Sequence, residues 1–390
     1  MKKRLFVILF AISLVFPLYG GIIGAHISLN GVTQQAEKIE PNIATIGDGT
    51  YQSYLNDRWD NNFPGRTVLL KIRNQILYSA LNVSPNSNVI IGKEKYLYEP
   101  AYILYENQAY PPSSGEYFDN LGNNLHKLKD LLEKNGKDLY VFITPSKVRY
   151  CKEYVPNKFN FLDNTEAYTY TNYSMLLEKL EEKEIPYYNS IPHIDKTIAD
   201  GIFETPLFYP TGIHWSQTYG EAWAAGLLDY INQHSKYDLG AVSVSETLCE
   251  EPVYPAADLY SSLNVIVPPK GPWYSTEMVI ERVGKDHPNV FLRGGSFMGQ
   301  SLSALIRSGV FGQDVHFENN YYFTDQYSQS TTLSSFHAYD ELDLNRLLGQ
   351  SDILILEINE GNIHDMSWGF IEYLLDHPDY LDYDTETGVE

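Results

Sequence analysis

The segment Phe291-Leu292-Arg293-Gly294-Gly295-Ser296-Phe297-Met298-Gly299 decides the fold. The apolar run Val290–Leu292 reads as a short buried strand. After two glycines and a serine, Met298, Leu302, Leu305 and Ile306 recur at the spacing of one helical face. Ser296 therefore stands where a strand turns sharply into a helix. Gly294 and Gly295 admit backbone angles there that a side chain resists. The first turn of a helix also presents N–H groups without internal partners, which can hold a developing oxyanion. A serine in this place serves either as a nucleophile or simply as a helix N-cap. The first use requires a histidine.

Phe208-Tyr209-Pro210-Thr211-Gly212-Ile213-His214-Trp215 supplies one. A helix is expected just after it, with Thr218 and Glu221 spaced as a capping box. Tyr219, Ala222, Trp223, Leu227, Tyr230 and Ile231 mark its apolar face. His214 thus lies in the loop that enters a helix, where side chains are free either to function or to bond loop backbone. Working outward, Leu121, Leu125, Leu128, Leu131 and Leu132 predict an amphipathic helix, and Leu139–Thr144 a buried strand that ends at Pro145-Ser146-Lys147. A helix follows over about 166–182, then a short strand at Ile185–Tyr188. Residues 235–285 are proline-rich and weakly periodic, and read as a long connection with a short helix near 258–263. Val315–Thr324 is expected as a strand and Leu342–Leu348 as a helix. Asp352–Ile358 is the clearest buried strand and ends at Asn359-Glu360-Gly361-Asn362, before a last helix over Trp368–Leu375. Alternating helices and buried strands indicate an α/β fold with a mainly parallel sheet. Sites in such sheets form at the C-terminal strand ends, where Ser296 and His214 can meet. That pair suits nucleophilic acyl chemistry, with His214 taking the serine proton.

The chain has 390 residues, 43% of them hydrophobic, enough for a sizeable core. Its net charge of −22 argues against nucleic acid as a partner. The 32 tyrosines and 5 tryptophans suit a carbohydrate-facing surface and an ordinary core equally. Cys151 and Cys249 form no metal-ligand pattern and are either free or paired; no metal or other cofactor is expected. At the N-terminus, Lys2, Lys3 and Arg4 precede an apolar run from Leu5 to Ile27. Residues 1–28 are therefore expected to form one membrane anchor helix with the bulk of the chain extracytoplasmic. A cleavable signal sequence ending near Ala25 is the rival reading, and it would leave the protein secreted. Residues 29–50 read as a polar stalk and 51–390 as the folded domain. Val89–Tyr98 reads as a hairpin.

The order of the segments VIIGKEKYLYE, ITPSKVRYCKEYVP, FYPTGIHWSQTYG, FLRGGSFMGQSL and ILILEINEGN resembles the SGNH-hydrolase-like proteins of the AlgX/AlgJ type, and more closely the bacterial DHHW proteins. The likeness covers about residues 50–380. It implies a circularly permuted SGNH-hydrolase-like three-layer fold in which the histidine motif precedes the serine motif. It also implies an extracytoplasmic O-acetyltransferase that acts on a cell-envelope or exopolysaccharide, supplied by a membrane-bound O-acyltransferase partner. Under the resemblance Ser296 and His214 are catalytic. Gly212 stands where the family carries an aspartate two residues before the histidine, and Gly295 stands where relatives often carry aspartate or threonine. Glu357, Glu360 and Asp325 are the candidate substitute acids, each also readable as a surface or capping carboxylate. Gly295, Gly299 and Lys147 are expected to line the site, with backbone N–H groups at Ser296 and Gly299 holding the oxyanion. Two alternatives stand beside the transferase: a carbohydrate esterase using the same residues, and a non-catalytic glycan-binding or scaffold protein, which the missing aspartate favours.

Overall fold

A computed structural model describes the backbone of residues 38–311, 315–319, 322–327, 330–335 and 339–381, with scattered residues before 31; side chains at 61–62, 302–303, 306–307 and 315–335 lie outside the description. The chain divides into two compact units, residues 1–91 with 258–270, and residues 92–257 with 271–390. In the first, helices Thr50–Asn62 and Arg66–Ile76 are separated at Gly65, whose φ of 82° is a left-handed turn that glycine adopts without strain. Segment 258–270 belongs to the same unit. The Asn74 amide donates to the Leu263 carbonyl at 2.9 Å, and the Gln75 side-chain oxygen accepts from the Ile266 and Val267 N–H groups, each at 2.9 Å. Residues 51–91 fall in the first unit.

The expectation of a membrane anchor is corrected here. Among the described residues no helix is long and apolar enough to cross a membrane, so a single-pass membrane protein is not supported.

The second unit is built on a sheet. Among the described residues the strands are β1 (Ile90–Ile91), which lies in the first unit, and, in the second, β2 (Leu97–Tyr98), β3 (Asp138–Thr144), β4 (Tyr187–Asn189), β5 (Gly240–Cys249), β6 (Trp273–Val283), β7 (Val290–Gly294), β8 (Val315–Asn319), β9 (Tyr322–Tyr327), β10 (Ser330–Ser335) and β11 (Ile353–Asn359). The seven-stranded sheet runs β10-β9-β8-β7-β11-β3-β4. β8, β7, β11, β3 and β4 are parallel, and β9 and β10 extend the β8 edge antiparallel. β11 is the middle strand and every one of its residues is buried, which is why its sequence is a nearly unbroken apolar run. Its register sets Asn359 opposite Thr144 and Leu356 opposite Arg293, so β11, β3 and β7 end at one edge.

Helices cover both faces. On one, Leu354, Leu356 and Ile358 join a core with Phe118, Leu121, Leu125 and Leu128 of helix Gly115–Lys134, Leu176 and Leu180 of Asn172–Glu182, and Phe370 and Leu374 of Phe370–Asp376. On the other, the rings of Phe142 and Tyr140 pack against Trp223 and Tyr230 of helix Gln217–His234. That helix is capped by Ser216, whose hydroxyl accepts from the Tyr219 N–H, rather than by Thr218 as its spacing suggested. The stretch expected as a long connection contains instead a two-stranded antiparallel ribbon, β5 paired with β6. Exposure hides its period: Leu248, Val279, Ile280 and Val283 are all exposed, so no face is purely apolar. The strand expected over 315–324 is two strands, β8 and β9.

Candidate active site

β7 ends at Gly294, and helix Met298–Ser308 starts four residues later. A side chain at Gly294 would place its Cβ 2.7 Å from the Glu357 Cβ and 2.8 Å from Oε2, so only glycine fits against β11 here. The Met298 N–H donates to the Gly295 carbonyl at 3.2 Å, and the Gly299 N–H to the Ser296 carbonyl at 3.1 Å, closing the turn. Ser296 sits on its outside, exposed.

The histidine loop is fixed by two buried side chains. Lys147, in the first turn after β3, is 0% exposed. Its ammonium donates to the carbonyls of Leu97, Tyr209, Pro210 and Gly212, at 2.9, 2.8, 3.1 and 2.6 Å. It also lies 5.4 Å from the Tyr96 ring centre and 5.2 Å from that of Tyr98, within cation–π range. A buried ammonium is tolerated only when so partnered. Trp215, also fully buried, donates its indole N–H to the Phe297 carbonyl at 3.0 Å and to Gln300 Oε1 at 3.2 Å. The residue after the histidine therefore grips the residue after the serine. Between these anchors His214 Nε2 lies 2.7 Å from Ser296 Oγ. With the imidazole proton on Nδ1, Nε2 accepts the serine O–H. The Phe297 ring, 5.0 Å from the imidazole, walls the pair on one side.

Beneath the serine corner lies Glu357, 2% exposed. Oε1 accepts from the Thr144 hydroxyl at 2.6 Å, and Oε2 from the Gly295 N–H at 2.6 Å. Burial pushes this carboxyl up to about 7, while the Thr144 and Gly295 hydrogen bonds, the Arg293 guanidinium and His214 pull it back. Arg293, 1% exposed, has its Cζ 4.7 Å from the Trp368 ring centre and donates to the Tyr339 hydroxyl at 3.1 Å.

The other expected residues are placed as follows. Glu360 accepts from Arg149 Nε at 2.7 and 2.9 Å and from the Ser146 N–H at 2.7 Å, and is held there as an ion pair. Asp325 lies in β9, opposite His316 and Thr332, and its side chain is outside the described residues. Lys147 is fully buried beneath the loop, with its ammonium on the carbonyls of Leu97, Tyr209, Pro210 and Gly212. Gly212 is buried, with its carbonyl on Lys147. Gly295 contributes its N–H to Glu357, and the Gly299 N–H is spent on the turn. Cys151 and Cys249 are both free; burial pushes the Cys151 thiol up to about 11. Thr144, Arg293 and Trp215 were not foreseen as parts of the site. The signals for them were a hydroxyl at the end of a buried strand, an arginine inside another, and a tryptophan adjoining the histidine.

No protein-family model matches the sequence, and no curated protein does. The fold is similar to the O-acetyltransferase domain of Pseudomonas putida AlgJ, at 14% identity and a TM-score of 0.45, covering 74% of this chain and 99% of that one. Pseudomonas aeruginosa AlgX is similar at 15% identity and a TM-score of 0.40, over 70% of this chain and 61% of that one. Bacillus cereus PatB1 is similar at 9% identity and a TM-score of 0.45, over 71% of this chain and 97% of that one. Likeness at this level carries no inference about chemistry.

Proposed function

We propose that the protein is an O-acetyltransferase of the SGNH kind, with its histidine motif ahead of its serine motif, acting on a polysaccharide through an acyl-enzyme on Ser296. The observation that carries this is the 2.7 Å contact between His214 Nε2 and an exposed Ser296 Oγ at a strand-to-helix corner. His214 removes the hydroxyl proton as Oγ attacks the acetyl carbonyl, then returns it to the departing donor as the old acyl bond breaks. In the second half His214 deprotonates a sugar hydroxyl, the sugar oxygen bonds the acetyl carbon, and Ser296 leaves and regains the proton. Backbone N–H groups of the corner, that of Ser296 among them, supply oxyanion stabilisation in this reading. Glu357 serves as the acid of the site through the corner and the local field: it holds the Gly295 N–H and, once ionised, favours the imidazolium that forms on His214. The polysaccharide acceptor and a membrane-bound O-acyltransferase as acetyl source come from the sequence resemblance.

The test is mass spectrometry of the protein after brief exposure to p-nitrophenyl acetate. The expected result is one acetyl group, on the Ser296 peptide. Equal acetylation of Ser296→Ala overturns the proposal. An acyl-enzyme that transfers only to water, and never to an added oligosaccharide, would make the protein an esterase.

A further inference from the structure

A cavity of about 440 Å³ opens at the edge of the sheet where β3 and β11 end. This is within the size range of small-molecule sites. Its walls carry six tyrosines, Tyr102, Tyr105, Tyr110, Tyr168, Tyr170 and Tyr173. The floor is formed by Ser146 beyond β3 and by Glu360 and Gly361 beyond β11. Gly361 is required to seat Tyr102, since a Cβ there would meet the Tyr102 ring at 2.9 Å. Tyr102 in turn packs 6.2 Å from Phe297, whose ring adjoins His214. Two rings, Tyr102 and then Phe297, therefore link the cavity to His214.

Three features define what fits. The first is the tyrosine wall: flat apolar faces with hydroxyl rims suit sugar rings, which show C–H faces and O–H edges. Next comes Gln108, a lining residue 9% exposed, whose Oε1 is buried with no hydrogen-bond partner. An unpaired buried acceptor costs stability, and a ligand hydroxyl would satisfy it once the side chain turns toward the cavity. Gln108 is also held at a φ of 47°, a backbone state that non-glycine residues seldom adopt. The third feature is charge. Arg149 is matched by Glu360, and Lys152 by Asp163 at 3.2 Å. Glu106, lining the cavity, is then the acid in excess; burial first, and Glu360 next, raise its pKa. With Glu106 itself, this cluster holds two cations, Arg149 and Lys152, against three acids, so it disfavours anions when Glu106 is ionised.

We infer that this cavity is a binding subsite for an uncharged glycan segment, and that it selects against uronate or phosphate-bearing polymers. From the acyl-transfer proposal the inference takes only that the acceptor is a glycan. Titration calorimetry on the full-length Ser296→Ala variant tests it with acyl chemistry removed. The probes are cellohexaose, chitohexaose and mannohexaose, against an oligomannuronate. The expected result is binding of at least one neutral oligomer, at least tenfold tighter than the oligomannuronate. Tyr110→Ala removes an exposed ring, and Gln108→Asn keeps a residue that tolerates positive φ. Each should weaken the neutral ligand about tenfold, with circular dichroism showing the fold retained. Glu106→Gln should narrow the gap between neutral and uronate ligands. No neutral binding, equal or tighter binding of the uronate, or a neutral affinity unmoved in both Tyr110→Ala and Gln108→Asn overturns the inference. The acyl-transfer proposal fails on a different reading, acetylation that survives Ser296→Ala.

Discussion

The serine corner and the histidine loop are each held from beneath by one buried ionisable side chain, and the two carry opposite chemistry. Glu357 takes one backbone N–H and one hydroxyl, whereas Lys147 gives its protons to four carbonyls. The difference follows from what each segment leaves unpaired. A chain leaving a strand for a helix presents N–H groups, and an anion satisfies them. A loop that winds past Tyr209, Pro210 and Gly212 turns its carbonyls inward, and only a cation with several donors can serve them together. An amide of glutamate's shape can take over much of the first task. No neutral side chain can take over the second.

The largest effect sets the scale. Ser296→Ala should lower p-nitrophenyl acetate turnover by about 10⁴ or more; a smaller loss would mean that neither anchored loop serves this hydroxyl. Lys147→Met comes next. It leaves buried carbonyls unsatisfied and frees the histidine loop, so turnover should fall on the order of 100-fold, with a stability loss of about 3 kcal/mol. Thermal melting and kinetics on the same preparation read both. If Lys147→Met harms turnover no more than Glu357→Gln does, the cation is not the more demanding anchor.

Glu357→Gln should cost about tenfold in turnover, because it keeps the shape and loses the charge that favours imidazolium. Its second signature is in stability. The folded carboxyl titrates near 7 against an ordinary value of 4.5, so between those values the folded state holds a proton that the unfolded state has lost. The contribution of Glu357 is thus fully present below about pH 4.5 and is lost as pH rises through 7. Melting followed from pH 4 to pH 8 should show this slope in the wild type, on the order of 3 kcal/mol, and a flatter profile in Glu357→Gln. Identical profiles would mean that Glu357 titrates in the folded state at its ordinary value. The smallest change is Trp215→Phe, which keeps the ring and deletes its bonds to Phe297 and Gln300. About 1 kcal/mol of stability and a few-fold loss of turnover are expected. An effect as large as that of Lys147→Met would transfer the dominant anchoring role to the tryptophan.

What could be read from the sequence was local. The strand, the glycines and the apolar helix face around Ser296 are neighbours in the chain, so the corner was legible, as were β3 and β11 with their apolar runs. Glu357, Glu360 and Asp325 could not be ranked, because their separation comes from register. Glu357 lies within β11, opposite Phe142, while Glu360 is beyond the strand and claimed by Arg149. Lys147 looked like a residue facing the site, since nothing local says that carbonyls 62 to 65 positions away converge on it. The β5–β6 ribbon was missed because both its faces mix polar and apolar residues.

The middle position of β11 also bears on how the molecule comes to exist. Among the described residues it is the last strand in sequence, yet it is hydrogen-bonded on both sides, to β7 and to β3. Until the ribosome has delivered residues 353–359, those two neighbours have no strand between them and their edges are bare. Contacts across 213 residues, such as that from Thr144 to Glu357, are among the slowest to form. A chain cut short before β11 loses its sheet and its buried carboxylate at one stroke, and its bare strand edges invite aggregation. Reactivity at Ser296 is then a report that residues 353–359 have been made and seated between β7 and β3.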